Sequence, residues 1–220
     1  MFCDRVIAPV YLCCAACAKR ISDVEAPICH YCGQSKAHCH CEKHRLAVDK
    51  VAAPFYYEAA VRDGILRLKQ YDDPYAIDYF AERMRTVVQR EYADEPIDGL
   101  TYVPMTPRAL RTRGYNQGKL LAEALGKRLG LPVYDTLAKF YDTTPQKETD
   151  FHARSGNILG VFEVTDTAVN GKTLLLVDDV MTTGATLGEC AKMLKLYGAR
   201  RVLAVTVAVR RQKEKPDESL

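Results

Sequence analysis

The 220-residue chain contains no apolar run approaching the roughly 20 residues that a membrane-crossing helix needs. No secretory signal is evident either. Its first apolar stretch is broken at once by Asp4 and Arg5 and carries cysteines that a signal core has no use for. A net charge of +3 is too small to argue for nucleic acid by itself, although local basic clusters still count. The dinucleotide fingerprint G-x-G-x-x-G is missing. Gly171-Lys172-Thr173 ends like a P-loop, but Asp166 stands where the first glycine belongs, and a strand-like run follows instead of a helix. Beyond residue 41 cysteine is nearly absent, with Cys190 alone inside a helix-like segment.

That absence sharpens what lies at the other end. Eight of the nine cysteines precede residue 42, a clustering that means disulfides in a secreted protein and metal in a cytoplasmic one. Without a signal, the expectation is a reducing cytoplasm and a zinc-binding module over residues 1–45. Cys14-x-x-Cys17 and Cys29-x-x-Cys32-Gly33 have knuckle geometry: two intervening residues let both thiolates reach one tetrahedral ion, and a following glycine permits the tight turn. Cys39-x-Cys41 comes next, with His30, His38, His40 and His44 interspersed. Two ligand sets compete. One joins Cys14, Cys17, Cys29 and Cys32; the other places Cys29, Cys32, Cys39 and Cys41 on one ion and gives Cys14 and Cys17 a second with Cys3 or Cys13. Either site is closed and thiolate-rich, hence structural.

The stretch that organises the remainder is TLLLVDDVMTTGAT, residues 173–186. Leu174 to Val177 is apolar on both faces, as in a central strand of a parallel sheet. Asp178 and Asp179 stand where that strand is expected to end, followed by Thr182, Thr183, Gly184 and Thr186 and a helix-like run to Tyr197. In open α/β sheets ligands bind beyond the carboxyl ends of strands, and N–H groups leading into a helix cradle phosphate. Carboxylates beside such a nest repel an anion unless they meet a cation or accept from hydroxyls. A sugar phosphate with Mg²⁺ satisfies both halves of the motif.

Around this centre, residues 46–98 form a connector: a short strand over 51–57 broken at Pro54, then helices from Ala59 and from about Tyr75 to Tyr92. Residues 99–210 form the main domain, with a strand over 100–103 and another over 201–209; the charged residues 211–220 read as a tail. Between strand 100–103 and a helix ending at Gly130, Pro104, Met105 and Thr106 lead into Arg108, Arg111 and Arg113, read as a tight loop whose guanidinium forks match pyrophosphate oxygens. Residues 141–160 read as a polar loop holding His152 and Arg154. Arg83, Arg85 and Arg90, and the tyrosines at 56, 57, 71, 75 and 79, are weaker candidates for contact with a nucleic-acid strand.

VDDVMTTGAT resembles the phosphoribosyl-pyrophosphate (PRPP) motif of type I phosphoribosyltransferases. Together with the cysteine head, YVPMTPRALRTRGYNQ and TTPQ…R…N…F, in that order, the chain is similar to the ComF family of bacterial competence proteins, with Tyr115 where the family carries Phe. The resemblance implies an α/β phosphoribosyltransferase fold with a parallel sheet flanked by helices and an N-terminal zinc module. It implies PRPP contacts at Val177, Asp178, Asp179, Met181, Thr182, Thr183, Gly184, Ala185 and Thr186, and catalytic roles for Asp178, Asp179 and Arg154. It further implies a pyrophosphate loop of Pro104, Met105, Thr106, Arg108 and Arg113, with Mg²⁺ accompanying PRPP. Participation in DNA uptake follows from the same likeness, with single-stranded DNA and other uptake proteins at the inner face of the membrane as partners. The other readings kept open are a non-catalytic DNA-binding accessory and a PRPP-sensing regulator.

Overall fold

The computed structural model describes residues 13–39, 41, 46–70, 73–140 and 161–212. Cys3, His40, His44, Tyr71, His152, Arg154, the whole 141–160 loop and the 213–220 tail lie outside the described residues. The elements run α1 (Ala15–Ala18), β1 (Lys50–Ala52), β2 (Phe55–Tyr56), α2 (Ala59–Gln70), α3 (Pro74–Glu91), β3 (Gly99–Tyr102), α4 (Pro107–Arg113), α5 (Gln117–Leu129), β4 (Leu137–Lys139), β5 (Phe162–Val164), β6 (Thr173–Met181), α6 (Ala185–Leu196) and β7 (Arg201–Val209).

The main sheet is parallel throughout, in the order β1-β7-β6-β3, with β2 pairing further along β7. β6 and β7 sit in its middle, and Leu174 to Val177 and Val202 to Val205 are fully excluded from solvent, as strands covered on both faces must be. Both strands that flank Pro54 join β7, at Lys50↔Leu203 and at Phe55↔Ala208. The sheet thus draws strands from the connector as well as from the main domain. β4 and β5 form a separate antiparallel pair.

Successive side chains of a strand point to opposite faces. Asp179 meets Gln117 on α5, so Asp178, its neighbour along the strand, points to the opposite face, and both α5 and α6 pack against β6. Helix starts follow local chemistry. Asp73 accepts from the N–H groups of Tyr75 and Ala76 with Pro74 behind it, and Asn116 accepts from those of Gly118 and Lys119.

Two expectations need correcting. β6 does not end at the aspartates; its ladder continues to Met181, paired with Val209, because Val180 and Met181 still have β7 beside them. The arginine-rich turn expected after residue 106 is a helix, α4, capped by Thr106, whose side-chain oxygen accepts from Ala109 N–H at 3.2 Å, and ended by Gly114 at φ +85°.

Candidate functional site: a strand-end crevice and a thiol cluster

Where β6 stops, Thr182, Thr183 and Gly184 turn the chain into α6. Gly184 has φ +80°, a left-handed conformation that an L side chain adopts only at a cost, and a Cβ there would meet Leu46 Cδ1 at 2.5 Å. The Thr183 hydroxyl oxygen accepts from Ala185 N–H at 3.3 Å, while the next N–H groups of a helix's first turn have no carbonyl within the helix to bond. Asp178, Val180, Met181, Thr182, Thr183, Gly184, Ala185, Thr186 and Leu187 line a small hollow at this turn. Val177 lies one register position behind, fully buried. The residues expected to contact PRPP are therefore brought together, save that Val177 supports the hollow from within the sheet and Asp179 does not line it.

The two aspartates have separate surroundings. The Asp178 carboxylate accepts from the N–H of Asp179 at 2.8 Å and lines the hollow. Burial, and then the neighbouring Asp179 charge, hold the Asp178 carboxyl well above the usual carboxylate range. Among the described residues no cation bonds to it. Asp179 points the other way, is 5% exposed, and its Oδ2 lies 2.8 Å from Lys69 Nζ and accepts from Gln117 Nε2 at 3.1 Å. Asp179 is thus already paired, whereas both carboxylates were expected to face the ligand. Lys69 and Gln117 were missed as members of the site. The one available signal was that Lys69 lies on or near the apolar face that Val61, Ile65 and Leu68 share.

The Pro104–Thr106 turn follows β3, the parallel neighbour of β6, at the same end of the sheet. Arg113 bonds Gln117 Oε1, and its Nη1 lies 3.7 Å from Met105 Sδ, so this arginine points into the crevice network. Arg108 and Arg111 are exposed on α4. A cavity of about 490 Å³ adjoins the turn, with Pro104 and Met105 in its wall beside Tyr102, Lys119 and Phe140.

In the head, Cys29, Cys32, Cys39 and Cys41 converge, their sulfurs all within 4.8 Å of one another. Individual separations are 3.6 Å for Cys29–Cys41, 3.6 Å for Cys32–Cys39 and 3.1 Å for Cys39–Cys41. Sulfurs placed about 2.3 Å from a tetrahedral zinc sit about 3.8 Å apart, so the set fits one such ion. Burial drives the Cys32 thiol far up and Cys41 up to about 12. At Cys29 burial acts in the same direction, but bonds from the Tyr31 and Cys32 backbone outweigh it and the thiol is lowered. A cation is what such a cluster needs in order to ionise fully. Cys14 and Cys17 are not members, so the ligand set pairing them with Cys29 and Cys32 does not form among the described residues. The knuckle is closed by Cys29 N–H to Gln34 O at 2.7 Å and by Gly33 at φ +72°.

The weaker nucleic-acid candidates are engaged within the chain. Arg83 pairs with Asp23, Arg85 with Glu82 and Arg90 with Glu91. Tyr56 and Tyr79 are core residues, whereas Tyr75 is 78% exposed.

The phosphoribosyl transferase domain model matches residues 115–220. Competence protein F of Haemophilus influenzae is 27% identical over 201 residues, 86% of each chain. Competence protein ComFC of Bacillus subtilis is 23% identical over 193 residues, 82% of this chain and 77% of that one. DNA utilization protein YhgH of Salmonella typhi is 34% identical over 107 residues, 48% of this chain and 46% of its own. Among solved structures, an adenine phosphoribosyltransferase overlaps at 16% identity with a TM-score of 0.44, covering 64% of this chain and 74% of that one, too loosely to carry weight. A parallel sheet whose central strand carries paired aspartates near its carboxyl end and runs into a Thr-Gly loop has the type I phosphoribosyltransferase fold that the domain match indicates. The cysteine head, the domain match and the two competence relatives, similar over most of their length, support a ComF-family protein.

Proposed function

We propose that the crevice at the end of β6 binds PRPP with Mg²⁺ and that the protein serves DNA uptake in natural competence. The observation that carries the ligand is the hollow joining Asp178 to the Thr182–Thr186 turn at the start of α6. Thr182, Thr183 and Thr186 offer hydroxyls and the first turn of α6 its N–H groups to a 5′-phosphate. Asp178 takes ribose hydroxyls or a water of the hydrated magnesium ion, and its strained proton affinity favours a nearby dication. Mg²⁺, when bound, offsets the charge of the pyrophosphate. On the protein, Pro104 to Thr106 and Arg113 border the leaving group, and Arg154 is the candidate for closing over it. Departure of pyrophosphate develops an oxocarbenium-like sugar, which fixed charges and exclusion of water stabilise more than any protein nucleophile.

The competence role is supported by the names of the two full-length relatives, and work on DNA by the third. No helix among the described residues is long and apolar enough to cross a membrane. The thiol cluster suits a structural zinc ion, which Cys29, Cys32, Cys39 and Cys41 would hold.

Calorimetric titration with PRPP in Mg²⁺ buffer tests the ligand: saturable binding is expected, and its absence removes both enzyme and sensor. Pyrophosphate release on adding candidate acceptors then separates the two. The relatives' names, competence and DNA utilization, leave room for a second reading, an accessory that binds single-stranded DNA; salt-dependent oligonucleotide binding without PRPP affinity selects it.

A further inference from the structure

Lys69 lies in the last turn of α2, outside the 99–210 segment that holds the remainder of the crevice, yet its Nζ is 2.8 Å from Asp179 Oδ2. The same oxygen accepts from Gln117 Nε2 at 3.1 Å. Gln117 in turn accepts from Arg113, the guanidinium beside Met105 of the Pro104–Thr106 turn. The Tyr115 hydroxyl donates to the Leu68 carbonyl at 2.7 Å, fastening the end of α2 to the segment between α4 and α5. Lys69 and Arg113 therefore stand at the two ends of one chain of bonds centred on Asp179.

Two observations separate Lys69 from a plain counter-ion. Its side chain is 30% exposed whereas that of Asp179 is 7% exposed, so the ammonium forms the solvent side of the pair. Asp179 also keeps Gln117 as a partner when the lysine shifts, so the buried carboxylate is not stranded. A flexible stem with three donors suits an ammonium that is shared between a carboxylate and an arriving anion.

We propose that Lys69 is a diphosphate-binding residue, parked on Asp179 until a ligand arrives and then taking an oxygen of its pyrophosphate group. It would make the site select a sugar carrying both a phosphate and a diphosphate over one with the 5′-phosphate alone. This rests on the phosphoribosyl reading above. No covalent bond changes; the ammonium exchanges or divides its hydrogen bonds.

Wild type, Lys69→Met and Lys69→Arg are titrated separately with PRPP and with ribose 5-phosphate, in Mg²⁺ buffer, after thermal melts establish that each variant is folded. The methionine variant is expected to lose roughly tenfold or more in PRPP affinity, the worth of one charge-assisted bond, with ribose 5-phosphate affinity unchanged. The arginine variant is expected to restore most of the preference, and it keeps the test open should methionine unfold the chain. Equal losses for both ligands, or unchanged PRPP affinity in Lys69→Met, overturn the assignment of Lys69 while leaving PRPP binding intact. Wild type that binds neither ligand overturns the phosphoribosyl reading and this inference together.

Discussion

His30 Nε2 lies 3.0 Å from Glu91 Oε2, tying the loop between the two knuckle cysteines to the last turn of α3. The junction is not confined to that contact. The Val51 N–H donates to the His30 carbonyl at 2.8 Å, and a Cβ on Gly33 would meet Val209 Cγ1 at 2.9 Å. Removing the metal therefore loosens the sheet as well as the head. A strong chelator is expected to lower the melting temperature of the whole chain in one transition. Cys39→Ser is expected to lose one zinc equivalent by elemental analysis, whereas Cys17→Ser retains that ion.

Acid should unfold the protein through Glu95. Its carboxyl lies 2.8 Å from Lys50 of β1 and also bonds Arg201 at the start of β7. The Lys50 bond, followed against burial by the Arg201 charge, holds it below the ordinary glutamate value of 4.5. A depressed carboxyl lends stability that is complete above its unfolded value and is lost as pH falls through the folded one. Stability is thus expected to decline as pH drops below about 4.5. Glu95→Gln should flatten that acid limb while lowering the plateau at neutral pH, as read from denaturant melts across pH.

Asp178→Asn should separate binding from stability. The raised Asp178 carboxyl works in the opposite sense: the folded protein holds the proton more tightly, so stability is lost as pH rises from the unfolded towards the folded value. Asparagine removes that cost. The melting temperature at neutral pH is expected to rise by about 2–4 °C, the equivalent of about 1 kcal/mol in a chain of this size, and the gain to vanish near pH 4. PRPP affinity should fall below detection in the same variant, a trade between activity and stability.

Gly184→Ala tests the turn. Left-handed geometry costs an alanine about 1–2 kcal/mol, and the new methyl also presses on Leu46. A lower melting temperature is expected together with weakened PRPP binding, because relief of the strain re-aims Thr182 to Thr186. Gly171→Ala, at φ +72° with open space around its added Cβ, supplies the control: similar backbone strain without loss of ligand.

Much of this architecture is readable from local pattern. The apolar run 174–177 and the valine-rich 202–209 read as buried central strands because Thr206 is the one polar residue within them. Helix α4 could have been read as well: Thr106 followed by Pro107 is a helix-start signal that the cluster of arginines concealed. The far end of β6 was not readable. Whether Val180 and Met181 stay in the ladder depends on the length of β7, whose residues lie some way down the chain. The pairing of Lys69 with Asp179 joins residues far apart in sequence, and local pattern could mark each as unusual without naming its partner. The choice among zinc ligand sets failed for a similar reason: C-x-x-C spacing marks pairs, and which pairs share an ion is decided by how the segment folds back.

β7 takes β1 and β2 along one side and β6 along the other. A truncated chain beginning at β3 would keep every residue of the crevice turn and still expose a nine-residue, almost wholly apolar strand as a naked edge. Such an edge recruits other chains. Precipitation, rather than a minimal working fragment, is the outcome this arrangement dictates for attempts to isolate the sugar-phosphate half.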